Sequence, residues 1–392
     1  MWKIAWDNLR FNRRCSLLLI IMISITFASI NLFYGYIRYT REGMALGFIE
    51  KSGDFQIARN SYWNNGGEES VEITGGEIAG IREILAGKQI DDVECILEIS
   101  GLIGNKDTSR AFWGEAYDNP EKYGNLTDGE PVFSGDSSVV AGALLADSLG
   151  AGPSDYVTVL SSSQTEGICL GDFTLSGISS SGVVQQDKGF VVASRRTFLD
   201  FLGYDDVCSY IKVFLPDSKS GGKLVPEIEA ALPEGFSLRT WQELNPSYGQ
   251  IDELNSTQFF IISLILMILI AVSLTFSLIT NFTGRLSEFG TMEAIGFTKF
   301  QIGVLMELET VLVALTGIVV GTGLFFLISG ITKSLNVTIV PPGYSDGYKL
   351  VYLFDFREYV RMFLLVFGIC FLSALYPVAM ILRKTASGLM KR

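Results

Sequence analysis

Four long runs of apolar residues set the pattern of this chain, and a polar stretch of more than two hundred residues separates the first run from the second. A helix needs roughly 20 apolar residues to cross the hydrocarbon core of a bilayer. Cys15 to Ile37 holds no charge, nor does Leu254 to Gly284; Thr310 to Thr332 and Met362 to Leu382 complete the set. The pattern predicts spans over 15–37, 257–280, 303–332 and 359–382. Pro377 is expected to kink the fourth, with a neighbouring helix taking up the carbonyl it frees. A cleaved signal peptide competes for the first run, since basic residues precede it, but the apolar length favours a retained span.

The polar stretch, residues 38–256, reads as an α+β domain with a helical stalk at each end. Short β-branched and aromatic runs predict strands at 53–58, 92–99, 111–117, 155–160, 172–178, 189–193 and 209–215. Helical periods occur at 77–87, 142–150, 195–203 and 225–232, several closed by glycine. Asn60 to Ser70 and Ser218 to Lys223 read as loops.

Charge gives these segments sides. The 392 residues carry 30 basic and 42 acidic side chains, a balance of −12 that excludes nucleic acid as the main partner. Arg38 to Ser256 alone holds 16 basic against 34 acidic groups, so the flanks are basic. Lys3, Arg10, Arg13 and Arg14 precede the first span, and Arg383, Lys384, Lys391 and Arg392 follow the last. By the positive-inside rule both termini lie in the cytoplasm and the acidic domain lies outside. Residues 1–14 then form a cytoplasmic interfacial helix with Trp2, Trp6 and Leu9 on one face, unless they are only the basic flank that orients the first span. Residues 281–302 form a cytoplasmic connection, 333–358 a short external loop, and 383–392 a basic cytoplasmic tail.

Candidate chemistry is sparse. The chain has no histidine, which removes Ser-His-Asp and Cys-His catalysis and imidazole metal ligation. Its five cysteines form no CxxC, so no zinc ribbon is expected, and whether any disulfide joins Cys95, Cys169 and Cys208 stays open. There is no Walker A pattern. Ser220-Gly-Gly-Lys223 matches SxxK only as a four-residue coincidence in a loop, and the acid pairs Asp91-Asp92 and Asp205-Asp206 read as a solvated face. No catalytic or metal-binding residue and no cofactor are assigned.

The most informative segment is Asn281 to Gly323. A short amphipathic helix tied to a span at each end, with Phe289, Met292, Ile295 and Phe297 available for a groove and Arg285, Glu288, Glu293 and Lys299 around them, suits docking to a soluble partner or anchoring to lipid. Gly317-Ile-Val-Val-Gly321 is a GxxxG step, open both to packing within the chain and to a dimer interface. Glu307 and Glu309 stand near the inner start of the third span, at the interface or facing protein, capping the helix N-terminus.

Ser287-Glu-Phe-Gly-Thr291 followed by Ala294-Ile-Gly-Phe-Thr298, with Glu309, Gly317 and Gly321 behind, resembles the FtsX-like permeases of ABC transporters, the group that includes MacB, LolC and LolE. The likeness extends to Leu46–Trp63, Ser138–Gly203, Tyr210–Leu244 and the Pro341-Pro-Gly343 loop. It implies four transmembrane helices with a large extracytoplasmic α+β domain, a MacB-like periplasmic domain, between helices 1 and 2. It implies that Arg285, Glu288, Phe289, Gly290, Met292, Ile295, Gly296 and Phe297 form the helix coupling the permease to its ATPase, with Glu309, Gly317 and Gly321 in span packing. Glu293 departs from the family pattern, where a basic or apolar residue is common. The further expectations are a bacterial inner-membrane protein, ATP and Mg on a separate ATPase subunit, and a second permease subunit, the same or different. The implied work is mechanotransmission to a lipoprotein cargo of LolC/LolE type. The alternatives are MacB-type peptide or drug export, or a membrane-anchored sensor or binding protein.

Overall fold

The chain opens with two helices, α1 (Trp2–Phe11) and α2 (Arg13–Ser52). In this computed structural model the described residues are all except Asn12, 65–71, Asp107, 124–125, Ser134, 164–166, 217–220, 340–347 and 384–392. They fall into two units: Met1–Gly43 with Gln250–Thr338 and Lys349–Arg392, and Met44–Gly249 with Ile339–Tyr348.

After α2 come β1 (Phe55–Arg59), α3 (Asn60–Asn64), β2 (Ile73–Thr74), α4 (Gly75–Ala86), β3 (Val93–Gly104), β4 (Ser109–Tyr117), β5 (Leu126–Gly129) and β6 (Ser138–Gly142). Next are α5 (Ala143–Leu149), β7 (Tyr156–Ser163), β8 (Gly167–Ser179), α6 (Val184–Asp187), β9 (Phe190–Ser194), α7 (Arg195–Leu202), β10 (Val207–Cys208), β11 (Tyr210–Val213), α8 (Gly221–Glu229), β12 (Phe236–Thr240) and α9 (Trp241–Leu244). Each of the seven expected strands is present, in a mixed sheet ordered β12-β1-β11-β3-β4-β9-β6-β8-β5. β7 pairs with both β3 and β8, so β3, β4, β9, β6, β8 and β7 close into a ring. β3 makes closure possible by its length: its first residues pair with β11 and its last with β7.

Two cores result. Inside the ring Val159, Phe173, Leu175 and Val191 meet Leu145 of α5 and Phe198 of α7. On the extension, Phe55, Ile57, Ile211 and Val213 are covered by Ile78, Ile81 and Leu85 of α4. Cys95, Cys169 and Cys208 are buried free thiols, and those of Cys95 and Cys208 are hydrogen-bonded to each other in the second core. On the sheet face opposite these cores Lys212, 2 % exposed, donates to Glu115 Oε2 at 2.5 Å, and the Tyr210 hydroxyl donates to Oε1 at 2.7 Å. Burial alone would raise the Glu115 carboxyl, yet Lys212 and the tyrosine hydroxyls hold it below its ordinary value.

Two expected loops are corrected. Asn60–Asn64 is the short helix α3, fixed because Tyr62 and Trp63 pack on Ala58, Ile96 and Tyr210, and because Arg239 stacks 4.8 Å from the Trp63 ring. α8 starts at Gly221, four residues before the predicted Val225, so the predicted 218–223 loop survives in no described residue. The second stalk also differs. α9 ends at Leu244, Asn245 leaves the helix, and α10 (Pro246–Gly284) begins with a proline suited to a helix start.

The other unit contains α10, α11 (Leu286–Ile295), α12 (Lys299–Ser334) and α13 (Phe356–Leu382). α2, α10, α12 and α13 are long and apolar enough to cross a membrane. Their shared core includes Ile23, Phe27, Leu274, Met306, Ile318 and Val366. Pro377 lies within α13, and the Ser373 carbonyl it leaves free is met by the Thr275 hydroxyl of α10 at 3.4 Å. The GxxxG step is resolved toward packing within the chain. A Cβ at Gly317 would lie 2.8 Å from Ile23 Cβ, and one at Gly321 would lie 2.7 Å from the Ser24 carbonyl. Both glycines are spent on the close approach of α12 to α2.

Candidate functional site

The connection from α10 to α12 is held by charge. Arg285 follows the last residue of α10 and is 5 % exposed. Its Nη1 donates to Glu309 Oε2 at 2.7 Å, its Nε to Glu288 Oε2 at 2.8 Å, and its guanidinium sits 5.3 Å from the centroid of the Phe289 ring. Glu309, 6 % exposed on α12, accepts a second bond at Oε1 from Asn8 Nδ2 of α1 at 2.7 Å. One carboxylate therefore ties α1, the α10–α11 junction and α12 together, with both oxygens engaged. An unpaired carboxylate at the centre of an apolar helix costs about 2.5 to 3.5 kcal/mol, so the pairing explains how Glu309 is tolerated there.

The backbone around this joint is equally defined. Gly296 ends α11 with φ of 110°, a left-handed value that a Cβ disfavours. Thr298 then caps α12: its hydroxyl accepts from the Gln301 amide at 3.3 Å, and Gln301 Oε1 accepts from the Thr298 amide at 2.9 Å. This reciprocal cap corrects the expectation that Glu309 caps the helix start. Glu309 lies well inside the helix and spends its charge on Arg285.

The expected docking face is corrected too. Phe289 and Gly290 are buried, and Met292 and Phe297 are half-buried against the helix core. Ile295, 75 % exposed, faces outward together with Glu288 and Thr291, and Phe300 at the start of α12 is 77 % exposed. The reason is angular. At 100° per residue Ile295 lies about 120° around α11 from Phe289, so one helix cannot turn both to the same neighbour. The structure brings Arg285, Glu288, Phe289 and Glu309 into one cluster and leaves Gly317 and Gly321 apart from it, on the α2 contact. Asn8 was not singled out from the sequence. The available signal was an acid inside an apolar helix, which requires a donor without saying where along the chain it lies.

α1 lies on α12 through buried Ala5, with Asn8 and Leu9 alongside, while Trp2 and Trp6 are about half exposed. Beyond its apolar run α2 bears a second polar joint. Arg38 pairs with Glu42 at 2.8 Å and with Asp355, the cap of α13, while Arg41 pairs with Asp252 and donates to Ser256 Oγ at 2.9 Å on α10.

Comparison with known proteins gives this arrangement a context. Residues 260–386 match the FtsX-like permease C-terminal family. Over 268 residues the chain is 21 % identical to the lipoprotein-releasing system transmembrane protein LolC of Neisseria meningitidis, a match covering 63 % of this chain. The chain spans 63 % of the length of that curated relative. The periplasmic region of MacB from Actinobacillus actinomycetemcomitans superposes with a TM-score of 0.37 at 11 % identity, covering 51 % of this chain and 94 % of that one. The extracellular domain of the noncanonic ABC-type transporter YknZ gives 0.35 at 10 % identity, covering 47 % of this chain and 99 % of that one.

Proposed function

We propose that this chain, an FtsX-like ABC transporter permease, turns the movement of a cytoplasmic ATPase into movement of its α+β domain. The observation that carries the proposal is the Arg285–Glu309–Asn8 joint. Force applied to the outward face of α11, at Glu288, Thr291 and Ile295, reaches α12 and α1 through bonded side chains instead of dissipating in a loose loop. α2 then serves as the lever. Its 40 residues span about 60 Å at 1.5 Å each, roughly twice the hydrocarbon thickness, and no break interrupts them.

In this reading both termini and α11 lie in the cytoplasm and the acidic domain lies outside a bacterial inner membrane, an orientation that the basic flanks support. The ATPase, with its ATP and Mg, is a separate subunit in this reading. A second permease subunit and lipid cover the broad apolar face of α10, where Phe260, Leu264, Ile268 and Phe276 are exposed. Lipoprotein release is the proposed work, on the strength of the LolC relative. MacB-type peptide export is the reading to which cargo capture would turn if no acylated protein binds.

The test is affinity purification of the intact chain in detergent, with mass spectrometry and an ATPase assay, beside a Glu288→Lys/Ile295→Glu variant on the exposed face. Recovery of a nucleotide-binding subunit with the parent and its loss with the variant supports the proposal. Recovery of the chain without any ATPase, or equal recovery with both forms, refutes it and leaves a membrane-anchored sensor.

A further inference from the structure

The α+β unit contains a cavity of about 300 Å³ that the transport reading does not use. One wall is aromatic and continuous: Trp113 meets Phe190 at 4.8 Å between ring centroids, Phe190 meets Tyr123 at 6.3 Å, and Tyr123 meets Tyr117 at 6.2 Å. Trp113 is 50 % exposed. The other wall carries Glu94, only 4 % exposed. Its Oε1 accepts from Asn119 Nδ2 and from Lys122 Nζ, each at 2.9 Å. Its Oε2 is buried and has no hydrogen-bond partner among the described residues.

A buried carboxylate oxygen without a donor is costly, and native proteins keep such atoms where a ligand or water supplies the bond. The charge balance gives the sign of that ligand. Glu115 on the cavity wall is already neutralised by Lys212, which leaves Glu50, Asp92 and Glu94 against Lys51 and Lys122, one negative charge in excess. Lys122 is shared with Asp92 at 3.1 Å, and Lys51 donates to Gln186 Oε1 at 2.7 Å, so both ammoniums have partners. A donor that is also a cation satisfies Oε2 and the excess charge together, and aromatic faces attract a cation and its apolar body.

We infer that this cavity binds a small primary amine, as its ammonium, carried on a flat apolar body, with the ammonium paired to the Glu94 carboxylate and the body against Trp113 and Phe190. The volume is at the lower end of the ~300 to 1,000 Å³ usual for small-molecule sites, which suits a ligand of the size of an arylalkylamine. The inference does not depend on coupling to an ATPase.

The experiment titrates the purified full chain in detergent with 2-phenylethylamine by calorimetry and by ligand-observed NMR. 2-Phenylethanol and 3-phenylpropionate serve as neutral and anionic matches that partition into micelles through the same ring. Saturable binding of the amine is expected, weakened about tenfold or more in Glu94→Gln, which keeps size and loses charge. Trp113→Ala, a change at a half-exposed position that does not endanger the fold, is expected to weaken it as well. Absence of saturation by about 10 mM amine, equal binding of the phenylpropionate, or unchanged affinity in both variants would overturn the inference.

Discussion

Two buried ion pairs among the described residues do different work, and their surroundings show why. Lys212–Glu115 lies within one sheet, on β11 and β4, and two tyrosines of the same sheet close around it. Arg285–Glu309 joins separate helices, and its arginine reaches a further carboxylate, Glu288, whose side chain is 45 % exposed. The first pair is enclosed by elements that cannot shift without losing strand register. The second is placed where helices meet, and through Glu288 its arginine is linked to the exposed surface. A buried ion pair is weak evidence for stability by itself, since desolvation offsets attraction. What separates the two is whether the pair reports to the outside.

Breaking the sheet pair should give the largest effect. Lys212→Met leaves Glu115 desolvated without its cation, and about 3 kcal/mol of stability should be lost. Urea-dependent alkylation of Cys95 and Cys208, both fully buried in the neighbouring core, would read it, with mass spectrometry separating these thiols from Cys370. A loss below ~1 kcal/mol would mean that the pair is not what organises this part of the sheet. Association with an ATPase should be unaffected.

The joint pair should behave in the opposite way. Glu309→Gln keeps the acceptor for Asn8 and removes the charge facing Arg285, which retains Glu288; about 2 kcal/mol of bundle stability is expected to go. ATPase stimulation by cargo should fall severalfold while the subunits still co-purify. If stimulation survives in Glu309→Gln, force does not pass through this joint.

Acidity sharpens the contrast by about 1.4 kcal/mol for each unit of pKa displacement. Glu115 is held below its ordinary value, so the stability it contributes is present above about pH 4.3 and is lost as pH falls through its lower folded value. In Lys212→Met the burial that remains should lift the carboxyl instead, so acidification from pH 7 toward 4 should narrow the gap between variant and parent. A gap that widens would place the origin of the stability elsewhere. The smallest effect belongs to Glu288→Gln. Its exposed carboxylate should contribute below ~0.5 kcal/mol to stability, so any larger change in ATPase binding would come from the partner's surface.

Much of the fold was legible in sequence because local patterns carried it. Charge-free runs marked the four long helices, and β-branched runs marked each of the seven strands. The ring closure was not legible. It depends on β3 pairing its first residues with β11 and its last with β7, a choice made by partners more than fifty residues away. The site was readable by halves: Arg285 and Glu309 stood out singly, but Asn8 joins them from 301 positions away. Phe289 and Ile295 were read as one face because both are apolar, whereas the helix turns only the first inward. Glu115 and Lys212 attracted no notice among many charges, since an ion pair across strands has no fixed spacing.

The closed ring also bears on how safely the α+β unit survives while it is newly made. A strand with an open side is a template on which another chain can extend a sheet, and crowded unfolded protein aggregates by that route. Eight of the ten strands in this sheet have both sides taken by their own neighbours. The two ends of the path are β12, of five residues, and β5, of four with the sequence Leu-Thr-Asp-Gly. Both are short, and the second is polar enough to discourage a visitor. The topology therefore protects the unit from mispairing, and a substitution that opened the β3–β7 seam would be expected to produce insoluble chains before it produced inactive ones.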